Sequence, residues 1–503
     1  MAETYAIELK NITKTFGSVV ANDNVNLSVK KHEILSILGE NGSGKTTLMN
    51  MISGIYRPDS GQIFIDGKEV EIHSPKDAYN YHIGMIHQHY KLVNVFTAAE
   101  NIILGTETGS LIDMKAVKNK INEICSAYGF KLNPDQKIYD MSVSQKQTVE
   151  IVKVLYKGAD VLILDEPTAV LTPQEAQSLF EVLKNMRKAG KAIIIITHKL
   201  NEVMAISDRV TILRKGRYID TLETSKATIP LLTEMMVGEK VSLDIERTAV
   251  ENASDVLKVE GLSCYSKEGL KALDDVSFTA RRGEILGIAG IAGCGVKELF
   301  EAIAGIERVS GGSITFINKE NKNIDITNKS PVAIKRTGAH ISFVPEDRLG
   351  MGLVGSMGMT GNVLLRTYEN SNDPLIHKKE PRTLAEKIKR KFEVVTPGTE
   401  YPVRRLSGGN VQKVLVGREI SSAPDVLLVA YPVRGLDINS SYAIYNQLNR
   451  QKQKGVAVIS VIEDLDVILQ LCDRILVMNN GRVTGLLDAR TASKEQVGYL
   501  MTA

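Results

Sequence analysis

Apolar residues along the chain fall into two spacings. Near-continuous runs such as ILSIL (34–38), VLIL (161–164) and AIIIIT (192–197) are short and rich in β-branched side chains. Such runs predict strands of a parallel sheet, buried on both faces. Between them lie stretches whose apolar positions recur at helical spacing, opened by glycine-rich turns. The segment beginning at Glu33, EILSILGENGSGKTTLMNMISGIYRPDSGQI, reads as strand, glycine loop, amphipathic helix and turn. The same order returns from Glu284 in EILGIAGIAGCGVKELFEAIAGIERVSGGSI.

The correspondence continues beyond these segments. DVLILDEPTAVLT (160–172) matches DVLLVAYPVRGLD (425–437), and SDRVTILRKGR (207–217) matches CDRILVMNNGR (472–482). A duplication of this kind predicts two α/β domains built on mainly parallel sheets. The expected division is a first domain over 1–240, a linker over 241–254 and a second domain over 255–503. The linker falls in the polar stretch 238–255, which has no periodicity. Fully extended, that stretch would reach roughly 50–60 Å at ~3.4 Å per residue, enough for the halves to pack face to face. Gly39 and Gly290 are 251 positions apart, whereas Asp165 and Ala430 are 265 apart. The second half therefore carries extra residues, and part of them is expected in YENSNDPLIHKKEPRT (368–383), read as a surface loop.

Bulk properties narrow the function classes. A length of 503 residues suits two or three domains. With 43% hydrophobic and 24% charged residues the composition is that of a folded soluble protein. A net charge of +3 makes no global electrostatic case for nucleic acid. No apolar run approaches the ~20 residues of a membrane span, and MAETYAIELK shows no secretory signal. Cys125, Cys264, Cys294 and Cys472 are scattered and read as small buried side chains of a reduced protein.

Candidate chemistry concentrates in the first half. GENGSGKT (39–46) fits the G-x-x-x-x-G-K-[ST] pattern between a predicted strand and a predicted helix. Its glycines let backbone N–H groups wrap phosphates, and the helix N-terminus favours the anion. Gly39, Asn41, Gly42, Ser43, Gly44, Lys45, Thr46 and Thr47 are accordingly candidate nucleotide-binding residues. In this pattern Lys45 reaches the β- and γ-phosphates and the Thr46 hydroxyl ligates Mg²⁺. VLILDE ends a strand on two acids: Asp165 is placed to hold the Mg²⁺ shell and Glu166 to polarise the attacking water. His198, just past AIIIIT, is placed to meet the γ-phosphate, and Gln88 to touch both Mg²⁺ and water. Phe16 reads equally as an adenine-stacking ring or a core residue.

Taken together, GENGSGKTT, HQH, LILDEPTAVLT and ITH resemble the ATP-binding cassette family, and both halves share in the resemblance. The whole chain is similar to tandem-cassette ATPase subunits of bacterial sugar and nucleoside importers. That resemblance implies two P-loop NTPase domains, each with a mainly parallel core sheet, an antiparallel β subdomain and a helical subdomain. It implies ATP and Mg²⁺ as cofactors. It also implies that each ATP is held between the P-loop of one cassette and the LSGGQ-type signature of the other.

Under that implication the defects of the two halves sort themselves. In the second half Val296 replaces the P-loop lysine, Lys297 falls at the Thr46 position, and Ala430 and Tyr431 stand at the acidic pair. Glu463 replaces the histidine and Glu346 replaces Gln88. Yet LSGGN, with Ser407, Gly408 and Gly409, is intact, while the first half has Val143 and Ser144 in place of the two glycines. One complete site is expected, from the first P-loop and the second signature.

The resemblance further implies two transmembrane permease subunits, gripped by the helical subdomain at about 90–140, and a solute-binding lipoprotein outside the membrane. The chain is then expected at the cytoplasmic face, with no nucleic-acid partner. The motifs stand nearest the nucleoside-importer branch, with a ribose- or galactose-type importer as the alternative. A tandem-cassette translation factor is less favoured, since such proteins usually keep both P-loop lysines and a long charged linker.

Overall fold

The computed structural model describes residues 5–87, 90–106, 112–169, 171–240, 245–249, 253–266, 269–291, 293–368 and 375–502. The chain divides into two compact units, Met1–Ser242 and Leu243–Ala503.

In the first unit the apolar runs ILSIL, VLILD and AIIIIT form the strands Ile34–Leu38, Val161–Asp165 and Ala192–Thr197, every residue of them buried. They pair in parallel, with Ile83–Ile86 on one side and Arg209–Arg214 on the other. The strand Arg217–Glu223 closes the six-stranded sheet antiparallel to its neighbour. The period-two pleat splits each run between two cores. Leu35, Ile37, Ile163, Ile194 and Ile196 face one cluster, while Ile34, Leu162, Leu164, Ile193 and Ile195 face another. The first face is covered by the helix Lys45–Ile52 and by a four-stranded sheet of Val19–Lys30, Tyr5–Phe16, Ser60–Ile65 and Lys68–Val70, paired antiparallel throughout. The second is covered by Val143–Tyr156 and Pro173–Lys188. A small helical cluster around Ala98–Ile103 and Met114–Tyr128 packs beside them.

The second unit repeats this plan. Its six-stranded sheet runs in the order Ile341–Val344, Val426–Ala430, Ala457–Val461, Ile285–Gly290, Arg474–Asn479, Arg482–Asp488. Read from its other end, this is the order of the first unit. A four-stranded antiparallel sheet again lies beside it, ordered Lys271–Arg281, Asp255–Tyr265, Gly311–Ile317, Asn323–Asp325.

One local outcome differs from the sequence expectation. Residues 368–383 are not loop throughout, because a helix begins at Lys379 and runs to Lys391. Pro381 lies in its first turn, where a missing N–H is harmless, and Ala385 and Ile388 bury its apolar face. In the polar stretch after 240, the described residues 245–249 lie on the second unit. Lys452 Nζ donates to the Thr248 carbonyl at 2.6 Å, Asn449 Nδ2 donates to the Glu246 carbonyl at 2.9 Å, and Ile245 packs on the core of the second unit. Residues 245–248 thus form a strap on that unit. All four cysteines are buried and free.

Candidate functional site

The carboxyl ends of the parallel strands gather the candidate residues of the first unit at one edge of the sheet, where ligands of such sheets bind. Register places Leu38 beside Thr197 and Asp165 beside Ile196. The P-loop leaves the first of these strands, the acidic pair leaves Val161–Asp165, and His198 follows Thr197.

The loop owes its shape to its glycines. Gly42 and Gly44 have φ of 81° and 94°, in the left-handed region. A Cβ at Gly44 would lie 2.4 Å from the Ala21 carbonyl oxygen, and one at Gly39 would lie 2.3 Å from that of Leu213. Gly44 opens the helix Lys45–Ile52, and Ser43 is buried beneath the loop. Asn41 and Thr46 are exposed and Thr47 is half-buried.

Lys45 is only 6% exposed, and its ammonium donates to the carbonyls of Gly39 at 2.6 Å and Glu40 at 2.8 Å. Burial pushes it down to about 8, against the pull of Glu166, Asp165 and Glu40. The Thr46 hydroxyl donates to Asp165 Oδ2 at 3.4 Å. These two oxygens converge beside the P-loop, and hydroxyl plus carboxylate is the hard, sparse donor set that suits Mg²⁺, which takes its remaining ligands from phosphate and water. The residues therefore fit the ion. Burial, and then the neighbouring Glu166, raise the Asp165 carboxyl.

Glu166 behaves differently because of its partner. His198 Nδ1 donates to Glu166 Oε1 at 2.8 Å, and this bond chiefly holds the Glu166 carboxyl below its ordinary range. Glu166 sits at φ 46°, an uncommon conformation for a residue with a side chain, fixed by its N–H donating to the Ile196 carbonyl at 2.9 Å. The structure thus brings Lys45, Thr46, Asp165, Glu166 and His198 together. Gln88 lies outside the described residues. Phe16 is 44% exposed, so it is not a core residue. It meets Tyr56 edge-on, with ring centroids 5.2 Å apart. Tyr56 went unnoticed in the sequence, since a lone tyrosine in GIYRP carries no motif.

The second unit keeps the shape and changes the chemistry. Gly293 and Gly295 take φ of 86° and 94°, almost the angles of Gly42 and Gly44. Tyr431 takes φ 49° and donates its N–H to the Val461 carbonyl at 3.0 Å, as Glu166 does to Ile196. Val296 opens the helix after the loop, and Lys297 points to solvent, with side-chain exposure of 71%. Burial above all, and then nearby acids, push the Tyr431 phenol up to about 12.

Both signature positions cap a helix. Ser407 caps Gly408–Ser421, accepting from the Asn410 N–H at 3.4 Å, and Ser142 caps Val143–Tyr156 in a capping box with Gln145. At the capped end in the second unit Ser407 and Gly408 are exposed and Gly409 half-buried. A Cβ at Gly409 would come within 3.2 Å of Leu436 Cδ2. Val143 and Ser144 put side chains at the corresponding places in the first unit.

The family model of the ABC transporter matches residues 22–169 and 273–432. The chain is 43% identical to the nucleoside import ATP-binding protein NupA of Lactococcus lactis subsp. cremoris, over 100% of this chain and 99% of that one. It is 42% identical to the guanosine import ATP-binding protein NupO of Bacillus subtilis, over 99% and 97%. To the ribose import ATP-binding protein RbsA of Clostridium perfringens it is 36% identical, over 98% and 97%.

Proposed function

The chain belongs to the ABC transporter family, as an ATPase coupled to import, and from that premise we propose that it energises the uptake of nucleosides through a single complete ATP site. The observation that carries this reading is the unequal endowment of the two units. In the first, Lys45, Thr46, Asp165, Glu166 and His198 converge at one sheet edge. In the second, the corresponding places hold Val296, Lys297, Ala430, Tyr431 and Glu463.

In the proposed reaction the first P-loop binds the phosphates, its glycines supplying backbone donors and Lys45 a cation. Thr46 and Asp165 hold Mg²⁺, which neutralises phosphate charge when bound. Gln88 is assigned by its motif to Mg²⁺ and water, and the exposed Phe16, with Tyr56 edge-on against it, to the adenine. Glu166, kept ionised by His198, orients the attacking water. A carboxylate held below its ordinary range is a weak base, so Glu166 acts by polarising and positioning more than by taking the proton outright. LSGGN of the second unit, exposed at Ser407 and Gly408, adds helix N-terminal donors to the γ-phosphate of that ATP.

The graded identities support a nucleoside over a sugar as the solute: 43% and 42% to the nucleoside and guanosine import proteins against 39% to a glucose import ATP-binding protein and 36% to the ribose one. Among the described residues no helix is long and apolar enough to cross a membrane. The proposed partners are therefore two permease subunits, with an extracytoplasmic solute-binding lipoprotein delivering the nucleoside and this chain at the cytoplasmic face. Uptake of labelled nucleoside and of labelled ribose, by cells with and without the chain, tests the assignment. Loss of nucleoside uptake alone supports it, and loss of ribose uptake alone overturns it.

A further inference from the structure

The stretch EDRLGMG (346–352) follows the strand Ile341–Val344 and forms a turn of an unusual kind. Gly352 N donates to the Asp347 carbonyl at 3.0 Å and Leu353 N to the Arg348 carbonyl at 2.7 Å, so the bonds span five residues and Arg348–Gly352 is a π turn. Asp347 caps it, accepting from Gly350 N at 2.7 Å. Such turns are rare and cluster at functional sites.

This turn is fastened to the signature helix Gly408–Ser421 at three places. Arg348 Nη1 donates to the Gly408 carbonyl at 3.1 Å, at the first residue of that helix. Arg418 Nη2, buried three turns on, donates to the Gly352 carbonyl at 2.6 Å. Gly352 lies so close to Leu415 that a Cβ there would meet Leu415 Cδ2 at 2.8 Å. The other arm of the Arg348 fork donates to the Arg434 carbonyl. Arg434 in turn pairs with Glu346 and, at 3.6 Å, with Glu463, the residues standing at the Gln88 and His198 positions.

Stability does not account for the Arg348 and Arg434 part of this arrangement. The Arg434 pairs are about half exposed on both sides, and exposed pairs contribute little. A cation at a helix N-terminus is opposed by the helix dipole. The same cation adds positive potential where a phosphate would approach. The internal repeat sharpens the contrast. By the alignment of Gln88 with Glu346 and of Asp165 with Ala430, Arg348 corresponds to Tyr90 and Arg434 to Ala169. Residues 90–93 form no helical turn. Among the described residues, the unit with the intact signature has the π turn, whereas in the other unit the corresponding segment meets its signature helix through Lys91 N, which donates to Glu150 Oε1 at 3.1 Å.

We propose that the π turn Arg348–Gly352 braces the LSGGN loop for ATP hydrolysis, with Arg348 as the positioning residue whose two-armed bridge fixes Gly408 against Arg434. The proposal rests on the reading that LSGGN serves the ATP of the first unit. In it, the lost catalytic positions Glu346 and Glu463 have become anchors for that brace.

The test measures phosphate release, ATP affinity and thermal midpoint on the full chain carrying Arg348→Ala, Arg348→Lys or Ser407→Arg. Arg348→Ala should lower kcat about 10- to 100-fold, the scale of a small misplacement of reacting groups, with ATP affinity unchanged. Lysine keeps the charge but cannot bridge two carbonyls in a fixed fork. Arg348→Ala and Arg348→Lys should therefore both keep a thermal midpoint near wild type, with lysine recovering the rate only in part. Wild-type kcat in Arg348→Ala with Ser407→Arg inactive overturns the brace alone. Wild-type kcat in both overturns the signature reading itself. Full recovery of the rate by lysine reduces Arg348 to a simple cation and also overturns the brace.

Discussion

His198 Nδ1 lies 2.8 Å from Glu166 Oε1, and this one bond is the largest influence holding the Glu166 carboxyl below its ordinary range. The other large influence, burial, pushes the opposite way. Removing the imidazole should let burial win. In His198→Ala the acid limb of the kcat–pH profile should therefore move to higher pH, because in the proposed reaction Glu166 orients water in its ionised form. Glu166→Gln should remove turnover while ATP still binds. A limb that stays in place in His198→Ala would show that some other group sets it.

Lys45 supplies a second pH signature. Its ammonium is pushed down to about 8 from the usual lysine value near 10.5 by burial. Without phosphate the folded protein releases this proton on passing through about pH 8, whereas ATP holds the charged form. ATP affinity should be flat below about pH 8 and weaken above it, with proton uptake on binding. Titration calorimetry in buffers of different ionisation heat reads the uptake directly. Uptake that is absent at pH 9, or persists in Lys45→Ala, contradicts the assignment.

The second P-loop should tolerate change. Val296→Ala should leave ATP turnover and uptake near wild type, while Lys45→Ala abolishes both. Restoring the cation by Val296→Lys should not create a second active site, since Ala430 and Tyr431 supply no acid. Phosphate release per chain under single-turnover conditions distinguishes one active site from two.

The strap at 245–248 makes a prediction about stability alone. Lys452 is 2% exposed and bridges Asp473 at 2.7 Å to the Thr248 carbonyl at 2.6 Å. Lys452→Met leaves a buried carboxylate without its cation, a change that costs about 3–5 kcal/mol. Denaturant unfolding should show a loss of that order, with ATP affinity at the first unit unchanged.

Much of this was readable in the residues because the chemistry is bound to spacing. GENGSGKT, VLILDE and the histidine after AIIIIT each sit where a strand ends, and the apolar runs fix the strands. The brace was not readable. A π turn has no sequence period, and Arg348 and Arg434 approach Gly408 from segments 60 and 26 positions away. Nor was the helix Lys379–Lys391 visible, because Pro381 and a run of charges hid its few apolar positions. The positive φ shared by Glu166 and Tyr431 follows from the fold and persists after the acid has gone.

The central claim is that LSGGN of the second unit serves the ATP bound by the first. Ser407 and Ser142 cap equivalent helices, each accepting from the N–H three residues on, so arginine at either costs a similar cap, about 1 kcal/mol. Any difference in turnover between Ser407→Arg and Ser142→Arg therefore reports on the nucleotide and not on the helix. The direct measurement is ATP binding and phosphate release for both variants of the full chain. The account predicts that both bind ATP, that Ser407→Arg releases no phosphate, and that Ser142→Arg stays near wild type. Equal loss of hydrolysis in two folded variants would contradict it.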